Sequence, residues 1–171
     1  MLQIYTGNGK GKTTAALGQA IRAFGNGKKV AFIYFDKGGD NYNERKVLDT
    51  LKIPYFSYGR DRRRSNGTFD FSFTPEDEKM AIDSMQKLRE IQNNYDLIVL
   101  DEVLNAIRLN MMTLEVFTDY LKNEKPEKLE LIATGQGLPQ ELEDIADLVT
   151  EMKLVKHYMY NGVPALEGIE W

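Results

Sequence analysis

The sequence predicts an α/β protein, a P-loop NTPase-like three-layer α/β/α sandwich with a mainly parallel central sheet, and three observations carry that prediction. Apolar runs of strand length recur along the chain, and two of them, residues 30–35 (VAFIYF) and 97–100 (LIVL), are continuous, as in strands covered on both faces. Segments with helical apolar spacing separate these runs, and strands alternating with helices imply parallel pairing through right-handed crossovers. The first apolar run opens straight into a glycine-rich loop and then a helical segment. Ligands of such sheets bind beyond the strand C-termini.

Taken in order, residues 2–5 read as a short buried strand and residues 12–24, with Ala15, Ala16, Ala20 and Ala23, as a helix ending near Gly25-Asn26-Gly27. Residues 30–35 form the second strand, residues 41–51 the next helix, and residues 53–58 a weaker strand. The stretch 59–73 lacks a helical pattern; it carries Arg60, Arg62, Arg63 and Arg64, then Asn66-Gly67, then alternating Phe69, Phe71 and Phe73. It reads as a functional loop or irregular hairpin. Thr74-Pro75-Glu76-Asp77 then supplies an N-cap, a first-turn proline and early carboxylates, and Ala81, Met85, Leu88 and Ile91 trace the apolar stripe of a helix. Strands over 97–100 and 129–133 end in Asp101-Glu102 and in Thr134-Gly135-Gln136-Gly137. Residues 113–122 and 139–145 read as helices, residues 148–152 as a short strand, and residues 156–171 as a tail. The loops 6–13, 101–102 and 134–137 are therefore expected to meet at one edge of the sheet.

With 171 residues, 42% hydrophobic and 28% charged, the chain has the makeup of one globular domain spanning residues 1–171. No apolar run approaches the roughly 20 residues of a membrane helix, and residues 1–5 do not open on a basic leader, so a cytoplasmic protein without membrane association is expected. The absence of cysteine excludes thiolate metal sites and cysteine nucleophiles, and the single histidine cannot build a His-rich zinc centre. Any metal is to be held by oxygen. A net charge of −4 argues against electrostatic capture of nucleic acid, which requires a basic face.

The strongest motif is Thr6-Gly7-Asn8-Gly9-Lys10-Gly11-Lys12-Thr13-Thr14, set between a predicted strand and a predicted helix as a P-loop requires. Glycines let the backbone turn its N–H groups inward, and the helix dipole favours anions there, so the loop is suited to a nucleotide's phosphates. Lys12 adds a full charge, and the Thr13 hydroxyl can ligate Mg²⁺. The pattern G-x-x-x-x-G-K-[ST] departs at its first position, where Thr6 stands. The plainer reading is a glycine-rich turn with incidental lysines. Asp101-Glu102 is suited to complete a magnesium site, because Mg²⁺ takes oxygen ligands and keeps several waters. In an NTPase, Asp101 would hold the metal and Glu102 activate water; in a transferase, Glu102 would be the metal ligand.

The ordered segments TGNGKGKTTAALGQAIRA (6–23), FIYFDKGGDNYNER (32–45), IVLDE (98–102), ATGQG (133–137), ADLVTEM (146–152) and VKHYMYNGVPALEGIEW (155–171) resemble the ATP:cob(I)alamin (corrinoid) adenosyltransferases of the cobalamin-biosynthetic type. That resemblance spans nearly the whole chain and is weakest over residues 59–73. It implies transfer of the 5′-deoxyadenosyl group of ATP to the Co(I) of a reduced corrinoid, with release of triphosphate. The nucleophile then belongs to the substrate, in keeping with the absence of cysteine. The resemblance further implies ATP bound across the loop in the reverse of the usual sense, a Mg²⁺ cofactor, an electron-donating reductase as partner, and a homodimer. By motif position it assigns Asn8, Gly9, Lys10, Gly11, Lys12, Thr13 and Thr14 to the ATP phosphates and Thr13 and Glu102 to the metal, with Lys12, Thr13 and Glu102 as the catalytic set.

Three features depart from the family pattern. Thr134-Gly135-Gln136 stands where Thr-Gly-Arg is usual, replacing a cation by a neutral amide. The family's Gly-Phe-Thr-Trp-like segment is not evident near residues 59–73, where Phe69, Phe71 and Phe73 offer either an aromatic surface to the corrin ring or ordinary apolar packing. The chain starts almost at its first strand, so closure over the site is expected from elsewhere. Arg60, Arg62, Arg63 and Arg64 read more readily as a solvated surface than as anion contacts, and His157 as a structural hydrogen-bonding residue rather than a cobalt ligand. The rival activity is an ATPase or small-molecule kinase cleaving a phosphoanhydride bond. A noncatalytic nucleotide-dependent binding protein is the third class.

Overall fold

In the computed structural model, which describes residues 1–62, 70 and 72–170, six parallel strands form one sheet in the order β3-β2-β4-β5-β1-β6. The elements run β1 (Leu2–Thr6), α1 (Lys12–Gly25), β2 (Val30–Tyr34), α2 (Glu44–Leu51), β3 (Tyr55–Ser57), α3 (Pro75–Ile91), β4 (Leu97–Asp101), α4 (Val103–Arg108), α5 (Leu114–Asp119), β5 (Glu130–Thr134), α6 (Gln140–Ile145) and β6 (Leu148–Glu151). The period-two geometry of a strand divides the core in two. On β2, Val30, Phe32 and Tyr34 join Ala16, Ala20 and Ala23 of α1 and Leu48 of α2 on one face. Ala31, Ile33 and Phe35 join Ala81, Met85 and Leu88 of α3, Phe117 of α5 and Leu142 of α6 on the other. Small alanines on α1 let that helix lie close to the sheet, which sets where the glycine loop ahead of it stands. No described helix is long and apolar enough to cross a membrane.

The strand order separates β1 from β4 by β5 alone, so the phosphate loop, the acidic strand end and Thr134 lie side by side at one edge. Local differences from the sequence expectation follow from tertiary contacts. The second helix begins at Glu44 rather than residue 41, because residues ahead of it are drawn into the loop that follows β2. The helix expected over residues 113–122 is α-helical only to Asp119 and then widens into a π turn, Tyr120–Glu124. There the Lys125 N–H donates to the Tyr120 carbonyl at 2.9 Å, the Tyr120 hydroxyl bonds Gln92 Oε1 at 2.9 Å, and Arg89 grips Glu124 at 2.6 and 2.7 Å.

The reading of Arg60 and Arg62 as solvated surface is overturned. Arg62 is buried; its guanidinium meets Asp36 Oδ1 at 2.5 Å and Asp77 Oδ1 at 3.0 Å. Arg60 pairs with both oxygens of Asp77, at 2.8 and 3.0 Å, and donates to the Ser72 carbonyl. Asp77 is also the third residue of α3 and completes the capping box with Thr74. One carboxylate thus caps a helix and seats two guanidinium groups. Arg63 and Arg64 lie outside the described residues, as do Phe69 and Phe71. Arg62→Ala would leave Asp36 buried without its partner, and breaking such a pair costs about 3–5 kcal/mol. A thermal melt is expected to show a midpoint lower by roughly 10 °C for a chain of this size.

The same network gives a signed pH dependence. Burial alone would raise the Asp77 pKa, but its bonds from Arg60 and Thr74, with Arg62, outweigh burial and hold it below the ordinary carboxylate value. A depressed native pKa stabilises the fold above the unfolded-state value, about 3.9 for Asp, and that stabilisation is lost as pH falls through the native value. The stability difference between wild type and Asp77→Asn, measured by urea unfolding, is therefore expected to be full at pH 6 and to shrink below about pH 4.

Candidate active site

The phosphate loop owes its shape to two kinds of glycine. Gly7 and Gly9 are needed for close approach: a Cβ on Gly7 would stand 2.5 Å from the Met152 carbonyl oxygen, and one on Gly9 would stand 2.6 Å from it. The Gly9 N–H donates to that carbonyl at 2.6 Å, and the Met152 N–H donates to Thr6 O at 2.8 Å. Gly11, by contrast, has open space but a φ of +117°, which a side chain would strain. Thr6 is the last residue of β1, buried and extended, and the left-handed turn falls on Gly7 at φ +101°. The missing first glycine of the motif is thereby accommodated.

Lys10, Gly11, Lys12, Thr13 and Thr14 all line a cleft of about 550 Å³ at the C-terminal edge of the sheet, whereas Asn8 and Gly9 do not. The first N–H groups of α1 have no partner within the helix and open on this cleft. The Lys12 ammonium is held in the loop's mouth by the carbonyls of Gly7, at 2.8 Å, and Gly9, at 2.9 Å. Burial lowers its pKa; Glu102 and Asp101 oppose that shift, and Lys37 adds to it.

Asp101 and Glu102 stand across from Thr13. Asp101 is fully buried at the end of β4 and accepts from the Thr134 hydroxyl at 2.7 Å, while the Glu102 N–H donates to the same hydroxyl oxygen at 3.0 Å. Glu102 sits at φ +62°, a left-handed conformation that costs an L-residue roughly 1–2 kcal/mol and that turns its carboxylate toward the cleft. Asn105, one turn along α4, donates to Glu102 Oε2 at 2.5 Å and accepts from the Gln136 N–H at 2.8 Å. Asn105 and Thr134 therefore fix both acidic side chains and tie the 134–137 turn to α4. Burial pushes the Glu102 carboxyl pKa up, with Asp101 adding to the effect and Lys37 and Lys12 opposing it.

Lys37, from the loop after β2, was not singled out by sequence reasoning. Its ammonium lies 2.6 Å from Asp101 Oδ2, donates to Thr13 Oγ1 at 2.7 Å, and stands 3.8 Å from Glu102 Oε1. Burial works against its charge, but the two carboxylates outweigh burial and raise its pKa. Arg45 shapes this loop by donating to the carbonyls of Gly39, at 2.6 Å, and Lys37, at 2.5 Å, with its guanidinium over Tyr34 and Tyr42. The only signal for Lys37 lay in the resemblance of FIYFDKGGDNYNER, which gave no role to any one residue.

The tail also reaches the cleft. Gly168, Ile169 and Glu170 line it opposite the phosphate loop, and Glu170 pairs with Lys10 at 2.5 Å while accepting from the Tyr158 hydroxyl. His157 keeps a structural role, its Nδ1 accepting from the Met159 N–H at 3.1 Å to cap the short 3₁₀ turn Tyr158–Asn161. Phe73 is half exposed just ahead of α3, so it is not a core residue.

No group of three or more His, Cys, Asp or Glu side chains among the described residues could hold a metal alone. The oxygens of Thr13, Asp101 and Glu102 nevertheless surround one cation, the Lys37 ammonium. The locus is therefore chemically suited to a hard cation that completes its coordination with nucleotide oxygens and water.

The parallel sheet, the glycine loop ahead of α1 and the acidic end of β4 define a nucleotide-binding protein of the P-loop α/β class. The flagellar accessory protein FlaH from Methanocaldococcus jannaschii has a similar fold, with a TM-score of 0.54 and 15% identity over 88% of this chain and 69% of that one. The chain belongs to the ATP:corrinoid adenosyltransferase family BtuR/CobO/CobP, which it matches over residues 1–171. It is 33% identical to a corrinoid adenosyltransferase of Escherichia coli K12, over 98% of this chain and 84% of that protein. The corresponding protein of Salmonella typhimurium is 32% identical over the same shares.

Proposed function

We propose that this protein transfers the 5′-deoxyadenosyl group of ATP to the Co(I) of a reduced corrinoid. The observation that carries the reading is the pairing of a family match over the whole chain with an intact phosphate cleft in which Lys12, Thr13 and Glu102 face one another. The two electrons of Co(I) form the cobalt–carbon bond, and the electrons of the C5′–O bond leave with triphosphate. The protein needs no nucleophile of its own. Its task is to hold the leaving group and to align the sugar carbon with cobalt, which preorganised donors achieve at little cost during reaction.

Lys12 and the first amides of α1 hold the phosphates, with Lys10 and Thr14 at the rim. Asn8 and Gly9 serve by the shape they give the loop. Thr13 and Glu102 would hold Mg²⁺, with Asp101 beside them. Bound there, Mg²⁺ supplies charge neutralisation for the departing triphosphate. Asn105 and Thr134 keep Glu102 and Asp101 aimed. The exposed ring of Phe73, next to the segment that carries Phe69 and Phe71, is assigned to the corrin face. An electron-donating reductase supplies the reduced corrinoid, and the protein acts as a cytoplasmic homodimer, as its likeness to the family implies.

The test is anaerobic incubation with MgATP and chemically reduced corrinoid, with the cobalt spectrum and the phosphate product read together. Triphosphate and a light-sensitive adenosylated corrinoid are the expected products. ADP with phosphate, or ADP with a phosphorylated acceptor, would replace this reading by the phosphoanhydride-cleaving one. Gln136 lies at the turn that Asn105 ties to Glu102. Gln136→Arg is expected to raise single-turnover triphosphate release several-fold, because it restores the cation that the family pattern carries at this turn.

A further inference from the structure

Oxygens from three separate elements converge on the Lys37 ammonium: Thr13 Oγ1 from α1 at 2.7 Å, Asp101 Oδ2 from β4 at 2.6 Å, and Glu102 Oε1 at 3.8 Å. The side chain is largely buried, and its backbone is pinned by Arg45, so this placement is built in. A magnesium ion binds oxygen at about 2.0–2.1 Å. Such an ion on Thr13 and Glu102 would lie in nearly the same space as the ammonium, and two cations cannot share those oxygens. Lys37 also lines the cleft that Lys12 and Thr14 line, so a displaced ammonium has the nucleotide's phosphates within its reach.

We propose that Lys37 is the resident counterion of the metal site, holding Thr13, Asp101 and Glu102 together before substrate arrives and moving onto the triphosphate when the divalent ion enters with ATP. Lys37 thereby couples two events. Without nucleotide, the ammonium has no anion to move to and excludes the metal; with nucleotide, it gains a partner as it yields the site. It then stands as a second ammonium beside Lys12 on the leaving group, which offsets part of the charge absent at Gln136. This inference rests on the reading of Thr13 and Glu102 as metal ligands.

The test uses Mn²⁺ as the probe, followed by the loss of its free-ion electron paramagnetic resonance signal, in wild type, Lys37→Met, Lys37→Gln, Lys37→Arg and Glu102→Gln. Without nucleotide, wild type and Lys37→Arg are expected to bind Mn²⁺ weakly, and Lys37→Met and Lys37→Gln at least tenfold more tightly. At saturating Mn²⁺, affinity for inorganic tripolyphosphate should fall about tenfold in the two neutral variants, the loss of one charge contact. Equal Mn²⁺ affinity in nucleotide-free wild type and both neutral variants would overturn the proposal, provided that Mn²⁺ binding with ATP depends on Glu102. If Mn²⁺ binding with ATP is indifferent to Glu102→Gln, the metal-site reading itself fails, and the Lys37 proposal falls with it.

Discussion

Lys12→Ala is expected to lower the turnover number for adenosylated corrinoid by about 10²–10³, the usual consequence of removing one well-aimed donor from developing charge. The basis is positional. The ammonium sits in the mouth of the loop, held 2.8 and 2.9 Å from two backbone carbonyls. It has only to turn from those oxygens to the phosphates, so little reorganisation is needed when ATP binds. Its burial lowers its pKa, yet Glu102 and Asp101 oppose that shift. Stopped-flow spectra of Co(I) consumption would give the rate, and ATP affinity from calorimetry would separate binding from chemistry. An unchanged rate would remove Lys12 from the site. Lys12→Arg is not expected to rescue, because the two carbonyls cradle a compact ammonium and a planar fork does not fit the same place.

Glu102→Gln is the second large effect, a fall of about 10² or more in turnover with loss of the response to magnesium. Gln preserves volume and can still meet Asn105, so the comparison isolates charge. The backbone of Glu102 is left-handed, a conformation retained at a cost because it aims the carboxylate. Circular dichroism should show an unchanged fold, and a magnesium titration of the rate should be flat where the wild type saturates. A full magnesium response in Glu102→Gln would move the metal to Asp101.

The parts of the site legible in the sequence are those encoded over short distances. The strand, loop and helix of residues 2–25 were readable because glycine spacing, a lysine and small apolar residues all act within one turn of chain. The acidic end of β4 was readable because LIVL, short, continuous and rich in β-formers, has the pattern of a covered strand. Lys37 was not readable: its role exists because β2 pairs with β4, which brings residue 37 beside residue 101 across the sheet. Arg62 misled for the same reason, since its partners Asp36 and Asp77 come from a strand end and a helix start on either side of it in sequence. Asn105 lay in a six-residue helix too short to leave a periodic pattern. The departure at Thr6 weighed against the phosphate loop in sequence terms, whereas in the fold Thr6 ends β1 and the left-handed turn begins one residue later, at Gly7.

The pairing of Lys10 with Glu170 has a practical consequence for anyone handling the protein. Residue 170 lies against the nucleotide cleft, while Met1 precedes β1 at the far edge of the sheet, hydrogen-bonded to Leu129. A bulky group attached at residue 170 would crowd the cleft proposed for ATP, and a histidine-rich one would bring metal-binding imidazoles beside the proposed magnesium site. The same group attached at residue 1 would stand at the opposite, N-terminal edge of the parallel strands.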